Sequence, residues 1–401
     1  MRLRAQPPVH SPIGPAALLS GMRAAFTGGG AARERVERLL REIYQPSGLL
    51  LTDSGTTALQ LALRLAVSER PGPVALPAYC CYDIATAADA AGVGFVFYDL
   101  DPTTLGPDWP SLRRAFDRGS QVVVAVHLYG IPVDFSAMDA MAAAAGGIVI
   151  EDAAQGAGAR FGGRVVGSLS RYAILSFGRG KGMTGGRGGA LLANAPEAAE
   201  RLAGAASLLT GQGGGGRDAA MLCAQWVLAR PSVYGVPLSI PSLRLGETIY
   251  RAPTAPAAPS DFALGTLTRT LQLAPAEAER RRKNAGWLLD RMAAGAPVSA
   301  PRPPAACEPG FLRLPVVVDR SALARFRTSS ARALGVWPGY PTPLTDLGGF
   351  GARRLDPAEP TPGARTLAEQ LFTLPTHGLL DRASLAEVAA LLAPASGRTQ
   401  L

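Results

Sequence analysis

Lysine is nearly absent from this chain, so the two lysines that it does contain are informative. Of the 40 basic residues, only Lys181 and Lys283 are lysine. Arginine stays protonated and cannot form an imine, whereas lysine can lose its proton and attack a carbonyl. Lys283 ends the run Arg280-Arg281-Arg282-Lys283, which is typical of a solvated helix face. Lys181 lies among glycines and is therefore the candidate nucleophile.

Asp152 is the candidate acid, because it stands at the end of a second apolar run. It follows Gly147-Ile148-Val149-Ile150, which predicts a buried strand, and Lys181 follows the shorter run Ala173-Ile174-Leu175. A carboxylate at one strand end and a lysine just beyond another suit pyridoxal 5′-phosphate (PLP) chemistry. In that chemistry the lysine holds the cofactor and the acid keeps its pyridine nitrogen protonated. An Asp that caps a helix and a Lys on the surface are the alternative interpretation.

Composition bounds the class of protein. A hydrophobic content of 47% over 401 residues is enough for a large core, which we expect to be divided between two domains. The formal charge is +9, but the arginines are scattered, so we expect no nucleic-acid binding. A basic surface also suits an anionic, phosphate-bearing substrate. We expect neither a signal peptide nor a membrane span. The four cysteines are Cys80, Cys81, Cys223 and Cys307. Their spacing suits neither a metal site nor a disulfide framework, which favours the cytoplasm.

Strands and helices are predicted to alternate along the first half of the chain. Apolar runs predict strands at residues 49–51, 74–77, 94–98 and 122–126, and residues 31–43 have helical spacing. This alternation predicts an α/β fold, with a parallel sheet that carries helices on its faces. Further along, we predict a hairpin over the glycine-rich residues 156–167, a helix from residue 219, a long helix up to residue 292 and a final α+β unit.

We divide the chain into an N-terminal arm (1–20), a large domain (21–265) and a small C-terminal domain (266–401). The prolines of the arm predict an extended segment that lies on another part of the molecule. Residues 219–250 are apolar and interrupted by prolines, which predicts a subunit interface, and two-fold homodimers are the commonest assembly. Folding back on the chain's own core and contact with a membrane surface are the alternatives.

A turn rich in hydroxyl residues predicts an anion site. The strand at residues 49–51 leads into Thr52-Asp53-Ser54-Gly55-Thr56-Thr57, and a helical stretch follows. The free backbone N–H groups at such a helix start bind anions. An ordinary N-cap by Ser54 or Thr56 explains the same residues.

Several segments together resemble the DegT/StrS family of PLP-dependent, fold-type-I aminotransferases, which act mostly on keto-sugar nucleotides. The resemblance covers about residues 54–392 and is carried by Glu151-Asp152-Ala153-Ala154-Gln155, Gly167-Ser168, Ser176-Phe177 with Lys181, and Gly188-Gly189-Ala190. It implies the PLP-dependent transferase fold type I. That fold has a large domain, whose mostly parallel sheet is flanked by helices, and a small C-terminal α+β domain.

The resemblance also implies roles for individual residues. Lys181 would bind the cofactor covalently and move the proton, and Asp152 would contact the pyridine nitrogen. Phosphate contacts would come from Gly55, Thr56, Thr57 and Ser176, with Ala154 beneath the ring and Gln155 at its O3′ oxygen. The usual ring-stacking position falls on Cys81, which leaves Tyr82, Tyr79 or the thiol itself to cover the ring. His127, a single histidine at a strand end, is expected to be a structural hydrogen-bonding residue.

The implied activity is amino transfer from L-glutamate or L-glutamine to a keto-sugar nucleotide or related ketone, in polysaccharide or secondary-metabolite biosynthesis. A PLP-dependent sugar dehydratase of the same fold would normally lack the lysine. A non-catalytic PLP-binding regulator or scaffold is the alternative from a different class. Two features depart from the family: Arg187 stands where a glutamate is common, and Tyr250-Arg251 lacks the asparagine with which a neighbouring subunit completes the phosphate site.

Overall fold

A computed structural model describes residues 4–211, 213–240, 242, 252–292, 295–348, 353–356 and 359–394. Within these residues the helices are α1 (Pro15–Thr27), α2 (Gly30–Tyr44), α3 (Gly55–Glu69), α4 (Asp83–Ala91), α5 (Trp109–Asp117), α6 (Phe135–Ala144), α7 (Pro196–Ala205), α8 (Gly216–Leu228), α9 (Gly235–Leu238), α10 (Asp261–Leu289), α11 (Leu323–Phe326), α12 (Ser329–Ala333), α13 (Pro362–Gln370) and α14 (Arg382–Ala390). The strands are β1 (Gly48–Thr52), β2 (Val74–Pro77), β3 (Phe95–Tyr98), β4 (Val122–Val126), β5 (Ile148–Asp152), β6 (Arg160–Phe161), β7 (Arg164–Val165), β8 (Tyr172–Ser176), β9 (Gly189–Ala193), β10 (Val298–Ser299), β11 (Cys307–Glu308), β12 (Leu314–Val318), β13 (Trp337–Pro338) and β14 (Leu371–Leu374).

A seven-stranded sheet, in the order β1-β9-β8-β5-β4-β2-β3, forms the centre of the larger part of the molecule. Strands β3, β2, β4, β5 and β8 are parallel to their neighbours in that order, whereas β9 is antiparallel to both β1 and β8. The predicted α/β class with a mostly parallel sheet is therefore confirmed. The strands predicted at residues 74–77 and 122–126 coincide with β2 and β4.

The central strands are continuously apolar because both faces of the sheet are covered. All five residues of β4 are buried. Val122, Val124 and Val126 pack in the hydrophobic cluster that contains α3 and α4, whereas Val123 and Ala125 pack in the cluster that contains α2, α5 and α6. Helices on both faces leave the strand ends as the accessible edge of the sheet.

Two smaller sheets complete the fold. An antiparallel sheet in the order β10-β12-β14-β13 packs against α13, and β11 joins the β6–β7 hairpin that was predicted at residues 156–167. The division into 1–20, 21–265 and 266–401 remains a proposal. Its second boundary falls within the 29 residues of α10.

The first twenty residues are not extended throughout. Residues before Pro15 lie on other parts of the molecule, as predicted: the Gln6 N–H donates to the Ala333 carbonyl oxygen at 2.8 Å, and the Ala5 N–H donates to the Pro231 carbonyl oxygen at 2.9 Å. The extended conformation is wrong from Pro15, where α1 begins, because proline suits the first turn of a helix. One face of α1 buries Ala17, Leu18, Gly21 and Ala24, and the helix packs on α10.

The charged run in α10 is not solvated throughout. Lys283 is exposed as predicted, but Arg281 is only 1% exposed, so the prediction is wrong for this residue. Arg281 lies on the inward stripe of Ala274, Ala278 and Ala285. Its guanidinium donates to the carbonyl oxygens of Gly310 at 3.0 Å and Ala157 at 2.7 Å, which replace water around the buried charge.

The apolar segment that was predicted to form an interface is described only in part. The helix predicted from residue 219 is confirmed by α8, and Ile240 near the end of the described part is exposed. Leu243, Tyr250 and Arg251 lie outside the described residues. Among the described helices, none is long and apolar enough to cross a membrane.

Candidate active site

Asp152 ends β5, at the edge of the sheet where the parallel strands finish. Its side chain is buried, and Oδ1 accepts the backbone N–H of Ala154 at 2.9 Å. No other hydrogen bond reaches this carboxylate from the described residues, which leaves Oδ2 for a further donor. Burial raises the pKa of Asp152 above its ordinary value, against the Ala154 N–H and the positive charge of Lys181. A buried carboxylate with an unused oxygen fits a protonated ring nitrogen.

Lys181 lies in the loop between β8 and β9. Thr184 holds this loop: its hydroxyl donates to the Phe177 carbonyl at 3.2 Å, and its own carbonyl accepts the hydroxyl of Thr270 on α10 at 2.7 Å. The half-buried Lys181 side chain makes no hydrogen bond or ion pair with a described residue. Cys81 follows β2, Asp152 ends β5 and Lys181 follows β8, so all three lie at the same edge of the parallel strands, where the charge of Lys181 acts on the other two. We call this edge the cleft.

The N-terminal arm holds the lysine loop from outside. The buried Ser11 hydroxyl donates to the Lys181 carbonyl at 3.0 Å and accepts the Gly180 N–H at 3.2 Å. Ser11 also borders a separate cavity of about 570 Å³, whose lining includes Gln6 and Trp226 but neither Lys181 nor Asp152. No sequence pattern indicates this role of Ser11, because the contact joins residues far apart in the chain.

The start of α3 and the end of β8 form a small cradle. Ser54 is the N-cap of α3 and accepts the Thr57 N–H at 3.1 Å, so the capping interpretation is correct for Ser54. The N–H groups of Gly55 and Thr56 then have no partner within the helix. A Cβ on Gly55 would lie 2.8 Å from Cβ of Ser176, so only glycine fits against this serine. Free N–H groups at a helix start beside a hydroxyl fit a phosphate.

Thr57 and Arg187 meet at Asp53, next to this cradle. The buried Thr57 hydroxyl donates to Oδ1 of Asp53 at 2.6 Å, and the Arg187 guanidinium lies 3.2 Å from Oδ2. The Thr57 hydroxyl is thus engaged in fixing the turn. The charge of Arg187 is balanced by Asp53, so Arg187 also acts on the conformation of this turn.

Gln155 lies within a cluster of three tyrosines, of which Tyr79 and Tyr129 are buried and Tyr340 is half-buried. Its Oε1 accepts the Tyr129 N–H and its Nε2 donates to the Tyr340 hydroxyl, both at 3.1 Å. The Tyr79 hydroxyl accepts the Tyr340 N–H at 2.9 Å. Burial raises the pKa of all three, that of Tyr129 to about 12, so the hydroxyls stay protonated. The cluster gives the cleft a fixed, neutral wall.

Tyr82 and Cys81 take different positions at the turn before α4. The Tyr82 ring is buried in the hydrophobic core, and its hydroxyl donates to the Gly348 carbonyl at 3.2 Å. Cys81 is half-buried, and its thiol lies 3.3 Å from the Asp83 carboxylate. The charge of Lys181 acts on this thiol. We therefore propose that Cys81, rather than Tyr82, faces the ring.

Glu151 and His127 form a buried pair behind Asp152. Nδ1 of His127 accepts the Val133 N–H at 3.2 Å, so Nε2 carries the proton and donates to Glu151 Oε1 at 3.1 Å. The other Glu151 oxygen accepts the Leu169 N–H at 2.9 Å. These bonds agree with a structural role for His127. They also show that Glu151 fixes the segment after the hairpin, a role that the sequence did not indicate.

The fold is that of PLP-dependent transferases of fold type I: an α/β fold with a mostly parallel central sheet flanked by helices. Residues 17–218 match the model of the DegT/DnrJ/EryC1/StrS aminotransferase family, and the chain belongs to this family. A solved aminotransferase, TlmJ from Streptoalloteichus hindustanus, has the same fold. It superposes with a TM-score of 0.74 over 98% of this chain and 97% of its own, at 24% sequence identity.

Curated relatives match over part of their length. A pleiotropic regulatory protein of Geobacillus stearothermophilus is 35% identical over 37% of this chain and 40% of its own. The L-glutamine:2-deoxy-scyllo-inosose aminotransferase of Streptomyces kanamyceticus is 31% identical over 44% of this chain and 42% of its own. The matched region thus spans about two fifths of these relatives.

Proposed function

We propose that this chain is a PLP-dependent aminotransferase that moves an amino group from an amino acid to a keto-sugar nucleotide or related ketone. The observation that carries the proposal is that Lys181, without a side-chain partner among the described residues, follows β8 at the same edge of the sheet at which β5 ends with the buried carboxylate of Asp152. Family membership supports amino transfer, and the inosose aminotransferase supports a sugar-like or cyclitol ketone and L-glutamine as a donor. L-Glutamate is the other donor that we propose.

Five groups of this chain would hold the cofactor. The N–H groups of Gly55 and Thr56 and the Ser176 hydroxyl would bind its phosphate, Asp152 would hold a proton at its ring nitrogen, and Lys181 would bind it covalently. PLP, when bound, supplies an electron sink for the carbon that loses its proton. Lys181, once displaced by the donor amine, would move that proton as general base and then as general acid.

Two further parts of the proposal concern the assembly and its location. We propose a homodimer, whose neighbouring chain would add Tyr250-Arg251 to the phosphate site. We also propose that the protein works in the cytoplasm, because its four cysteines are free in the structure.

The alternative from another class is a PLP-binding regulator without turnover. It is supported by the name of the Geobacillus relative and by the cysteine in the ring-stacking position. A sugar dehydratase is disfavoured by Lys181.

One experiment separates these alternatives. Protein loaded with PLP is mixed with L-glutamate or L-glutamine and no acceptor, and the released 2-oxo acid is counted. An aminotransferase releases about one 2-oxo acid per site, since the first half-reaction needs no acceptor. Lys181→Ala should release none and should lose the borohydride-trapped PLP adduct, whereas the control Lys283→Ala should keep both. Protein that forms the adduct but releases no 2-oxo acid with either donor would reject the aminotransferase proposal.

A further inference from the structure

The cavity between the N-terminal arm and the end of α8 takes no part in the proposed reaction, since neither Lys181 nor Asp152 lines it. Its volume of about 570 Å³ falls within the range of small-molecule sites. The hydrogen bond from the Ala5 N–H to the Pro231 carbonyl oxygen ties the arm to the segment after α8. The two walls of the cavity are therefore held together by the fold.

Two glutamines of the lining have a buried side-chain oxygen without a hydrogen-bond partner among the described residues: Oε1 of Gln6 and Oε1 of Gln225. Gln6 is only 4% exposed, and its Nε2 donates to the Ser384 hydroxyl at 2.8 Å, which leaves Oε1 for another donor. Buried polar groups without a partner are rare, because each costs free energy. Two of them in the lining of one cavity point to a ligand that carries hydrogen-bond donors.

The charged groups of the lining restrict the ligand further. No acidic residue is among the described residues of the lining. Arg4 is paired with Asp381 at 3.0 Å, and the Arg230 guanidinium lies 4.5 Å from the centre of the Trp226 ring. An ammonium group would meet these arginines, whereas a carboxylate or phosphate would meet the two glutamine oxygens. A neutral hydroxylated ligand avoids both conflicts, because a hydroxyl donates to an amide oxygen and accepts from a guanidinium.

The other lining groups agree with such a ligand. Burial lowers the pKa of His10, so its neutral ring offers one donor and one acceptor. Ile13 is buried and Trp226 is half-buried, and both give the cavity an apolar surface. Sugar and cyclitol rings have a rim of hydroxyls and an apolar C–H face, which suits this mixture of polar groups and an aromatic ring.

We propose that this cavity is a binding site for a neutral sugar or cyclitol ring, separate from the cleft. The hydroxyls of the ring bind Gln6 and Gln225, and its C–H face packs on Trp226. The ring does not react there, since the side chains of Lys181 and Asp152 lie outside the cavity. The site goes beyond the proposed function, because an aminotransferase and a regulator without turnover could both use it.

Ser11 connects this site to the loop that carries Lys181. Ser11 lines the cavity, and its hydroxyl also holds the Lys181 carbonyl and the Gly180 N–H. A ring that fills the cavity restrains the arm at Ser11. Occupancy of the cavity therefore slows the local opening of the lysine loop.

Calorimetry with myo-inositol and D-glucose tests the site. Gln225→Leu removes one amide oxygen at similar volume and should weaken the binding of the better probe about 3- to 10-fold, the cost of one hydrogen bond. Ala229→Phe should abolish binding, because Ala229 lines the cavity and the larger side chain fills it. The matched control Gln370→Leu removes a glutamine of α13, outside the cavity, and should leave binding unchanged. Binding of neither probe by the wild type overturns the proposal.

Two further measurements keep the result of Gln225→Leu unambiguous. Without ligand, this variant should be at least as stable to heat as the wild type, because it loses a buried oxygen that has no partner. Lys181→Ala should bind the probe as the wild type does. If Lys181→Ala weakens binding and Gln225→Leu does not, the ring binds in the cleft and the proposed site is wrong.

Hydrogen exchange over residues 178–185 tests the connection through Ser11. Saturation with the probe should slow exchange of this loop in the wild type, and Ser11→Ala should lose the slowing, because its side chain cannot accept the Gly180 N–H. A probe that binds in the cavity without slowing this exchange overturns the connection. All of these measurements use the full chain without PLP or turnover, so their outcome is independent of the 2-oxo acid assay.

Discussion

Asp152 shows at the scale of one residue how a site for a cofactor differs from a site optimised for stability. Its carboxylate is buried with one backbone donor and with Lys181 nearby, and burial outweighs both, so its pKa is raised. Without a ring nitrogen to hold, the charge of Asp152 at neutral pH therefore opposes folding. Buried charges of this kind are typical of functional sites.

The first prediction follows from the sign of this shift. The folded state holds the Asp152 proton more tightly than the unfolded state, so its contribution to stability falls as pH rises from the ordinary value of 3.8 toward the raised one. Asp152→Asn keeps an acceptor for Ala154 and removes the charge. The apoprotein variant should therefore have a higher free energy of unfolding than the wild type at pH 7, and the difference should be smaller at pH 4. Urea denaturation of the two apoproteins at pH 4 and pH 7 checks this.

The same substitution should weaken PLP retention, because asparagine cannot balance the charge of a protonated pyridine nitrogen. Dialysis of both holoproteins against PLP-free buffer measures the retention. An Asn variant that is less stable than wild type at pH 7 and keeps PLP equally well would contradict this account of Asp152.

Lys181 could be singled out because lysine is rare in this composition, and Asp152 because it ends an apolar run. The same reasoning missed Ser11, Arg281 and the role of Glu151. Ser11 reaches Lys181 across 170 positions of the sequence, and no local pattern encodes such a contact. Arg281 was detectable in principle, since it continues an inward helical stripe of alanines. The charged residues on either side of Arg281 made the helical spacing of this stripe hard to detect.

At the scale of elements, the strands could be predicted from the sequence, but the packing of one helix on another could not. Each central strand is a continuous apolar run. Where such runs alternate with helical segments, they indicate buried parallel strands. The packing of α1 on α10 depends instead on close backbone approach: a Cβ on Gly265 would lie 2.4 Å from the Ser20 carbonyl oxygen. The sequence shows glycines at both helices, but it does not show which of them meet.

His377 gives the second prediction, which concerns the docking of the arm on the C-terminal part. The buried His377 Nε2 donates to the Pro7 carbonyl at 2.8 Å, and burial lowers its pKa from 6.5 to about 3. The unfolded state then binds the proton first, so stability falls as pH drops from 6.5 toward 3. Between pH 7 and pH 5 this one group should remove about 2 kcal/mol.

Guanidinium denaturation at pH 7, 6 and 5 tests the His377 prediction. His377→Gln should reduce the loss on acidification by most of that amount. His10→Gln serves as the control for the neighbouring histidine, whose pKa burial also lowers. If wild type and His377→Gln lose the same stability between pH 7 and pH 5, the contact between His377 and the arm does not cause the pH dependence.

At the scale of the whole molecule, an exposed apolar surface spans two helices that pack together. It consists of Leu19, Met22 and Phe26 on α1 and of Met221, Val227 and Leu228 on α8. Phe26 is 84% exposed. The sequence indicates the α8 part of this surface but not the α1 part, because the prolines of residues 1–20 predict an extended arm where α1 begins. Apolar residues grouped in this way mark interfaces.

The last prediction is that this surface, defined by those six residues, joins two copies of the chain. A closed two-fold dimer buries the same surface on both copies, which suits exposed apolar residues on two helices that pack together. Sedimentation at low micromolar concentration should give about twice the mass of one chain. Phe26→Glu should shift the protein toward monomers, since it places a charge in the apolar contact. Leu355→Glu is the matched control, because Leu355 is 55% exposed but lies outside this surface. If Phe26→Glu sediments as wild type does, or if wild type is already a monomer with full activity, the shared interface is wrong.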